Sequence, residues 1–209
     1  DPSAEKIEAD PAMQYTLSFA GNYSKNYQSK VESFSYTKAE LAKEYVKELM
    51  EMKPKKQFYP DANSTMRITY GTVLSYEPQD GMRYKYFTTL DGLMSKYKPG
   101  SDEFDVPKDL IDLYNAKDYG RYADKDGTLH TCFITNNDIT GGNSGSPCIN
   151  ADGELIGTAF DGNWEAMSGD IAFDKKYKRT IVCDIRFILF LIDKMGHADN
   201  LIKEMDIRK

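Results

Sequence analysis

The stretch of sequence that decides the fold reads Thr140-Gly-Gly-Asn-Ser-Gly-Ser-Pro147 and lies between two segments of strand-like composition. A glycine-rich loop of this kind can expose a serine hydroxyl while the backbone N–H groups beside it converge on a developing oxyanion. Gly142 and Gly145 have no Cβ, so the chain can take positive φ at both positions. We therefore predict that Ser144 is a nucleophile and that the amides of Gly142 and Ser144 form an oxyanion hole. The alternative is a glycine- and serine-rich hairpin loop without chemistry.

The segments on both sides of this loop have the β-branched and aromatic composition of strands. Residues 67–76 and 83–90 predict a hairpin, because the turn-forming run Glu77-Pro-Gln-Asp-Gly81 separates them. Further strands are predicted at residues 128–135, from residue 148, and at residues 154–160 and 180–183. We expect these strands to form a β-rich domain.

Helical patterns occupy the first third of the chain and its carboxyl-terminal end. Thr37 and Glu40 have the spacing of a capping box, which predicts a helix that begins there and ends before Pro54. A short helix is predicted at residues 105–114, and a final helix capped by Asp184 and ended by Gly196, followed by an amphipathic tail. The turn-rich sequence near residue 60 predicts two domains, a helical segment at 1–60 and a β-rich lobe at 61–209.

Composition excludes several classes of protein. The 209 residues carry 27 Lys and Arg against 33 Asp and Glu, a net charge of −6 that disfavours a nucleic-acid partner. The mean hydropathy of −0.61 is typical of a globular chain, and no apolar run approaches the ~20 residues of a membrane span. The chain begins without an initiator Met or an apolar signal region, so we interpret it as a mature product, a single domain or a fragment of a longer protein.

The three cysteines, Cys132, Cys148 and Cys183, are too few for a disulfide-dense scaffold. We expect them to be small buried side chains, and whether Cys132 and Cys148 form a bridge stays open. The acidic run around Asp124 and Asp126 is similar to a calcium loop but lacks its closing Glu, so we interpret it as a turn. We expect neither a metal nor a cofactor.

The octet around Ser144 resembles the nucleophile loop of the chymotrypsin-like serine peptidases, Gly-Asp-Ser-Gly-Gly-Pro. Asn143 replaces the Asp of that pattern, so activation by insertion of a new N-terminus is not expected. Ser146 and Pro147 do not fit the strand-to-helix turn of the α/β-hydrolases. The resemblance implies a mainly β fold with helical additions: a six-stranded chymotrypsin-like barrel lobe, preceded by a helical segment and closed by a C-terminal helix.

A longer run, which includes Phe-Asp-Gly-Asn-Trp-Glu at residues 160–165, resembles the carboxyl-terminal part of the bacterial dipeptidyl peptidases 7 and 11. That resemblance covers most of residues 60–209 and implies an exported serine exopeptidase of the periplasm or cell surface, which releases dipeptides from free N-termini. The preceding helices look like the end of the helical domain that this family inserts between its two barrel lobes.

The resemblance also implies roles for single residues. Ser144 matches the nucleophile, and Gly142 with the Ser144 amide matches the oxyanion hole. Asp161 matches the carboxylate that pairs with the α-ammonium group of the substrate, a role that favours free N-termini. Gly162 matches a position that is Arg in the branch specific for acidic residues, which implies a preference for an apolar penultimate residue. The alternative for Asp161 and Gly162 is an ordinary turn.

A serine peptidase of this type also needs a histidine base and an aspartate that orients it. The chain contains only His130 and His197, and both are expected to be bystanders, because the family takes its His and Asp from the first lobe. We therefore expect the isolated chain to be inactive, to need the missing lobe of the same protein, and to be able to form a homodimer through its uncovered apolar surface. The alternatives are a chymotrypsin-like endopeptidase and a non-catalytic barrel that binds a ligand.

Overall fold

The computed structural model describes residues 3–56, 58–59, 63–168 and 174–208. The chain divides into two compact units, Asp1–Pro60 and Asp61–Lys209. More of the described residues lie in helices than in strands, because the first unit is helical almost throughout. The chain thus combines helix with antiparallel sheet, whereas the sequence predicted mainly β structure with helical additions. None of its described helices is long and apolar enough to cross a membrane.

The first unit consists of three helices, α1 (Ala4–Glu8), α2 (Pro11–Asn26) and α3 (Gln28–Met52). Asp10 caps α2, since its Oδ1 accepts from the amides of Ala12 at 2.9 Å and Met13 at 3.1 Å. Pro11 follows at the first helical position, where no N–H is needed. No described side chain of this unit is buried.

The predicted start of a helix at Thr37 is wrong. Thr37 lies in the middle of α3, and its Oγ1 donates to the carbonyl of Ser33 at 3.0 Å instead of capping an end. A capping box works only where the preceding residues leave helical geometry, and here the helix continues through them from Gln28. The predicted end is confirmed, because α3 stops at Met52, two residues before Pro54.

The second unit contains a five-stranded antiparallel sheet. Its strands are β3 (Phe87–Thr89), β4 (His130–Thr135), β5 (Pro147–Ile149), β6 (Leu155–Gly162) and β7 (Thr180–Asp184). They are hydrogen-bonded in the order β3-β4-β7-β6-β5. No pairing joins the two end strands among the described residues, so the predicted six-stranded barrel is not confirmed. The predicted strands around the glycine-rich loop, β4, β5 and β6, are confirmed.

A separate hairpin joins β1 (Tyr76–Gln79) and β2 (Met82–Tyr84). The predicted hairpin between residues 67–76 and 83–90 is therefore wrong in its register. Its turn is the two-residue Asp80-Gly81, with Gly81 at φ +75°, whereas residues 77–79, the first three of the predicted loop, belong to β1. Residues 67–72 lie outside any strand, and the apolar Ile68 and Tyr70 there are exposed, so their β propensity is not used.

Two apolar clusters form the core of the second unit. The larger cluster packs Phe190 and Leu189 of α6 (Ile185–Phe190) against Leu90 and Leu129, together with residues of α4 (Leu90–Met94) and α5 (Lys108–Ala116). The smaller cluster lies on the sheet and contains Phe133, Val182 and Ala159 of β4, β7 and β6.

The carboxyl-terminal helix begins as predicted. The Asp184 carboxylate accepts from the Arg186 amide at 2.9 Å, which caps α6. A single π-helical segment, Leu191–Met195, extends the helix, and Gly196 ends it. The short helix α7 (Asp199–Glu204) forms the predicted tail.

Candidate active site

The glycine-rich loop contains a tight turn with Ser144 at its second position. The Ser146 amide donates to the Asn143 carbonyl at 2.9 Å, and Gly145 has φ +85°, the geometry of a type II turn. Asn143 also closes the preceding residues, because its Oδ1 accepts from the Thr140 amide at 3.0 Å and its own amide donates to the Thr140 carbonyl at 3.2 Å. Asn143 thus shapes the loop from within.

Two backbone hydrogen bonds attach this turn to β6. The Gly145 amide donates to the Ala159 carbonyl at 2.8 Å, and the Ala159 amide donates to the Ser146 carbonyl at 2.9 Å. The pairing of β5 with β6 continues directly from these bonds, beginning with Pro147 opposite Thr158. The turn is therefore an extension of the sheet, which fixes the position of its backbone.

The Ser144 side chain is exposed, and its Oγ donates to the Phe160 carbonyl at 3.2 Å. Phe160 is the extra residue of a β-bulge, because Ala159 lies opposite Val182 whereas Asp161 lies opposite Ile181. Within the described part of the chain, the Gly142 and Ser144 amides donate to no protein acceptor. Gly142 has φ +93°, as the sequence predicted for a curled loop. An exposed hydroxyl beside two available amides can act as a nucleophile if a base is supplied.

The bulge also brings Asp161 to the surface next to the turn. Phe160 and Asp161 are both exposed although they are consecutive, because the extra residue breaks the alternation of the strand. The Asp161 Oδ1 accepts from the Gly162 amide at 2.8 Å. At Gly162 a Cβ would lie 3.0 Å from the Cβ of Ala166, so a larger residue requires a small shift there. The predicted residues Gly142, Ser144, Asp161 and Gly162 thus belong to one loop and the strand end to which it is bonded.

A hydrogen-bonded network behind Gly162 was not singled out by the sequence analysis. Asn163 is buried; its Nδ2 donates to Glu165 and to the Tyr177 carbonyl, both at 2.8 Å, and its Oδ1 accepts from the Arg179 amide at 2.7 Å. The Tyr76 hydroxyl donates to the same Glu165 carboxylate at 2.8 Å. Burial and this carboxylate raise the pKa of Tyr76. Asn163 and Glu165 belong to the block at residues 160–165 on which the family resemblance rests, and this block is the sequence feature that could have pointed to them.

The Arg179 guanidinium is buried behind this network and lies 5.1 Å from the centre of the Tyr76 ring. Its Nη atoms donate to four backbone carbonyls, those of Ser75, Lys175, Lys176 and Lys178. Burial lowers the pKa of this guanidinium. Arg179 therefore links the segment that leads into β7 to the segment that leads into β1.

The two histidines are not assembled with Ser144. His130 is buried, stacks on Phe87 at 3.9 Å between ring centres, and has its Nδ1 3.2 Å from an Nη atom of Arg186. His197 is exposed between Gly196, which ends the extended α6, and the short helix α7, at φ +47°. Within the described ranges, the hydrogen bond of the Ser144 hydroxyl is to the Phe160 carbonyl and to neither histidine.

The acidic turn around Asp124 is held by a cation of the protein itself. Ligand atoms of Asp124, Asp126 and His130 lie within 4.8 Å of one another, which is close enough for a metal. However, the Arg186 guanidinium donates to Asp124 at 2.6 Å and lowers the pKa of that carboxyl. Thr128 binds the Asp126 carboxylate through its amide and hydroxyl. A positive charge already faces this turn, and the residues are a poor fit for a second cation.

Comparison with known proteins gives several close relatives. The chain is 50% identical over 99% of its length to the dipeptidyl-peptidase 7 of Capnocytophaga gingivalis, and it spans 29% of that protein. It is 46% identical over 97% of its length to the Asp/Glu-specific dipeptidyl-peptidase of Flavobacterium psychrophilum, and it spans 28% of that protein. The chain therefore corresponds to less than a third of these relatives.

A solved structure has the same fold. The crystal structure of Porphyromonas endodontalis DPP11 in complex with the dipeptide Arg-Glu matches 98% of this chain with a TM-score of 0.86 and 41% sequence identity, and the match covers 29% of that protein. The family model for Peptidase S46 matches residues 1–207. Because this match includes nearly every residue of the chain, the chain belongs to the Peptidase S46 family.

Proposed function

We propose that this chain is the nucleophile-bearing part of a serine dipeptidyl peptidase that releases dipeptides from the free N-terminus of peptides. The observation that carries the proposal is the bond between the exposed Ser144 hydroxyl and the Phe160 carbonyl, one residue before the exposed carboxylate of Asp161. A nucleophile and a fixed anion are thereby held next to each other on one strand end. The names of the relatives, dipeptidyl-peptidases of two specificities, support the same reaction.

In this mechanism Ser144 attacks the carbonyl carbon of the second residue of the substrate. Its Oγ turns from the Phe160 carbonyl toward a histidine base, which accepts the hydroxyl proton and later donates it to the leaving amine. The amides of Gly142 and Ser144 donate to the oxyanion of the tetrahedral intermediate, which explains why they should have no other acceptor. The histidine and its orienting aspartate are supplied by the remainder of the protein.

Asp161 selects substrates with a free N-terminus. Its carboxylate is exposed, and among the described residues it accepts a hydrogen bond from the neighbouring Gly162 amide through Oδ1, so the other oxygen is available to a substrate ammonium group. A charge-assisted hydrogen bond to that ammonium rewards a free N-terminus, whereas an internal peptide offers no cation. This selection makes the enzyme an exopeptidase.

Gly162 sets the preference for the penultimate residue of the substrate. An arginine there would present a planar cation to an acidic side chain, and glycine leaves the position without charge. We therefore expect the longer protein to cleave dipeptidyl substrates with Met or Leu in the second position faster than those with Asp. Faster turnover of the Asp substrate would overturn this preference and leave the serine mechanism untouched.

The nucleophile is tested by labelling the longer protein with a fluorophosphonate, which reacts only with activated serines. Label and peptidase activity should both disappear in Ser144→Ala and persist in Ser146→Ala, the matched serine of the same turn. Loss of neither in Ser144→Ala would exclude the serine mechanism. An N-acetylated peptide should not be cleaved, and its cleavage would indicate an endopeptidase.

The isolated 209 residues should have no peptidase activity, since the histidine base lies outside them.

Trp164 and Met167, which follow Asp161 closely in the sequence, are 83% and 76% exposed. We expect the remainder of the protein or a second copy of the chain to cover them. A location in the periplasm or at the cell surface is part of the same proposal. Restoration of activity when the remainder of the protein is added would support the proposal that Ser144 lies in this chain and that its histidine and aspartate partners lie in the remainder.

A further inference from the structure

We propose that Cys132 and Cys183 form a cross-strand disulfide when the protein meets a disulfide oxidant. All three cysteines of the chain are free in the structure. Cys132 of β4 lies directly opposite Cys183 of β7, at the centre of the five-stranded sheet. Each thiol shifts the pKa of the other, and both residues are half-buried.

The backbone hydrogen bonds show which kind of pair the two cysteines form. The Ile134 amide donates to the Tyr86 carbonyl at 2.8 Å, so the backbone groups of Ile134 point toward β3 and away from β7. Backbone direction alternates along a strand, so those of Cys132, two residues earlier, also point away from β7. Cys132 and Cys183 are therefore a non-hydrogen-bonded pair, in which Cα atoms are ~4.5 Å apart. That spacing lies within the range of ~4.4–6.8 Å that disulfides need.

Cys148 cannot take part in the same way. It lies on β5, which is three strand positions from β4 in the sheet, or about 14 Å at ~4.8 Å per strand. It also faces the other side of the sheet, because it pairs with Gly157 whereas Cys183 pairs with the next residue, Thr158. Bridges from Cys148 to either cysteine would exceed the limit of ~7 Å for a disulfide. This answers the question that the sequence left open for Cys132 and Cys148.

The chemistry is thiol–disulfide exchange. The hydrogen bond from the Cys183 thiol lowers the pKa of Cys132 to about 7 and raises that of Cys183, so Cys132 is the thiolate that attacks. It attacks one sulfur of a small disulfide such as oxidised glutathione and releases one thiolate. Cys183 then gives up its proton and attacks the Cys132 sulfur, which releases the second thiolate. The protein loses two protons and two electrons, and the oxidant becomes two thiols.

The test is a peptide map of the folded protein after incubation with oxidised glutathione and alkylation of the remaining thiols. We expect a linked pair of peptides containing Cys132 and Cys183, with Cys148 alkylated. The Cys148→Ser variant should give the same linked pair and serves as the matched control. In Cys183→Ser the second step is removed, so Cys132 should retain glutathione as a stable mixed disulfide.

Three outcomes would overturn the proposal. The first is a wild type in which Cys132 retains glutathione, as it does in Cys183→Ser, and no linked pair forms, which would mean that Cys132 is accessible but not aligned with Cys183. The second is an alkylated Cys132 in both proteins, which would mean that the thiol is not accessible. The third is any linked peptide that contains Cys148. None of these outcomes depends on peptidase activity, so the test is independent of the proposed function.

Discussion

Replacement of Asn163 by Ala should destabilise the second unit by about 2–4 kcal/mol. The substitution removes three hydrogen bonds, two donated by Nδ2 and one accepted by Oδ1. The Arg179 amide is buried and loses its acceptor, which costs roughly 1–3 kcal/mol as an unsatisfied buried donor. The Tyr177 carbonyl is half-buried and adds about 1 kcal/mol, whereas Glu165 keeps its bond to Tyr76.

Asn150→Ala is the matched control for this prediction. Asn150 also makes three side-chain hydrogen bonds, to the Asp152 and Glu154 amides and to the Glu154 carboxylate, but these lie in an exposed turn. The groups that it releases meet water, so we expect a loss of only about 1 kcal/mol. The comparison separates the burial of the hydrogen bonds from their number.

The assay is urea unfolding followed by circular dichroism, together with amide hydrogen exchange of the peptide that contains Arg179. We expect a lower midpoint for Asn163→Ala without a change in slope, and faster exchange in that peptide. A loss no larger than that of Asn150→Ala would refute the reasoning, because it would show that the buried Arg179 amide finds another partner at little cost.

Three further substitutions test the packing of the sheet, the turn at Ser144 and the loss of stability at low pH. Gly157→Ala should lower the free energy of unfolding in urea by about 1–3 kcal/mol, because the new Cβ would lie 2.4 Å from the carbonyl oxygen of Cys183. The control is Gly92→Ala, whose Cβ meets nothing within 4 Å and should cause no loss of stability. Equal losses in the two variants would contradict the prediction. Gly145→Ala should cost about 1–2 kcal/mol through positive φ alone, and an unchanged midpoint would exclude the type II turn. Arg186 lowers the pKa of Asp124, so the stability that Asp124 contributes is complete above pH ~4 and is lost as the pH falls through the native pKa. The difference between wild type and Asp124→Asn should therefore shrink below that pH, and a constant difference would argue against the ion pair.

The sequence predicted those parts of the fold in which local pattern and tertiary burial agree. β7, and β4 from Thr131 onward, alternate between buried and half-buried positions, and Asp184 caps its helix as expected. The pattern failed at Thr37, where a capping box lies inside a continuous helix, and at residues 67–72, where apolar residues remain exposed. At Thr37 the outcome depends on the preceding residues, which are already helical, and at residues 67–72 it depends on whether another part of the protein covers the apolar side chains. A short window of sequence contains neither kind of information.

The candidate site was predictable to a different extent. Positive φ at Gly142 and Gly145 follows from the residue type, and the structure has it at both. The bulge at Phe160 could not be predicted, because the extra residue is defined only by its pairing with β7. The role of Asn163 was missed for a similar reason, since its partners Tyr177 and Arg179 lie more than ten residues away in the chain.

The bulge at Phe160 makes the length of β6 as important as its composition. Deleting Phe160 would restore a regular ladder, with Ala159 opposite Val182 and Asp161 opposite Ile181, and would remove the carbonyl that accepts from the Ser144 hydroxyl. The nucleophile would lose its link to the strand although none of the predicted site residues had been replaced. Grafting this strand end onto another scaffold would therefore require preserving the residue count from the turn to the carboxylate, in addition to the residues themselves.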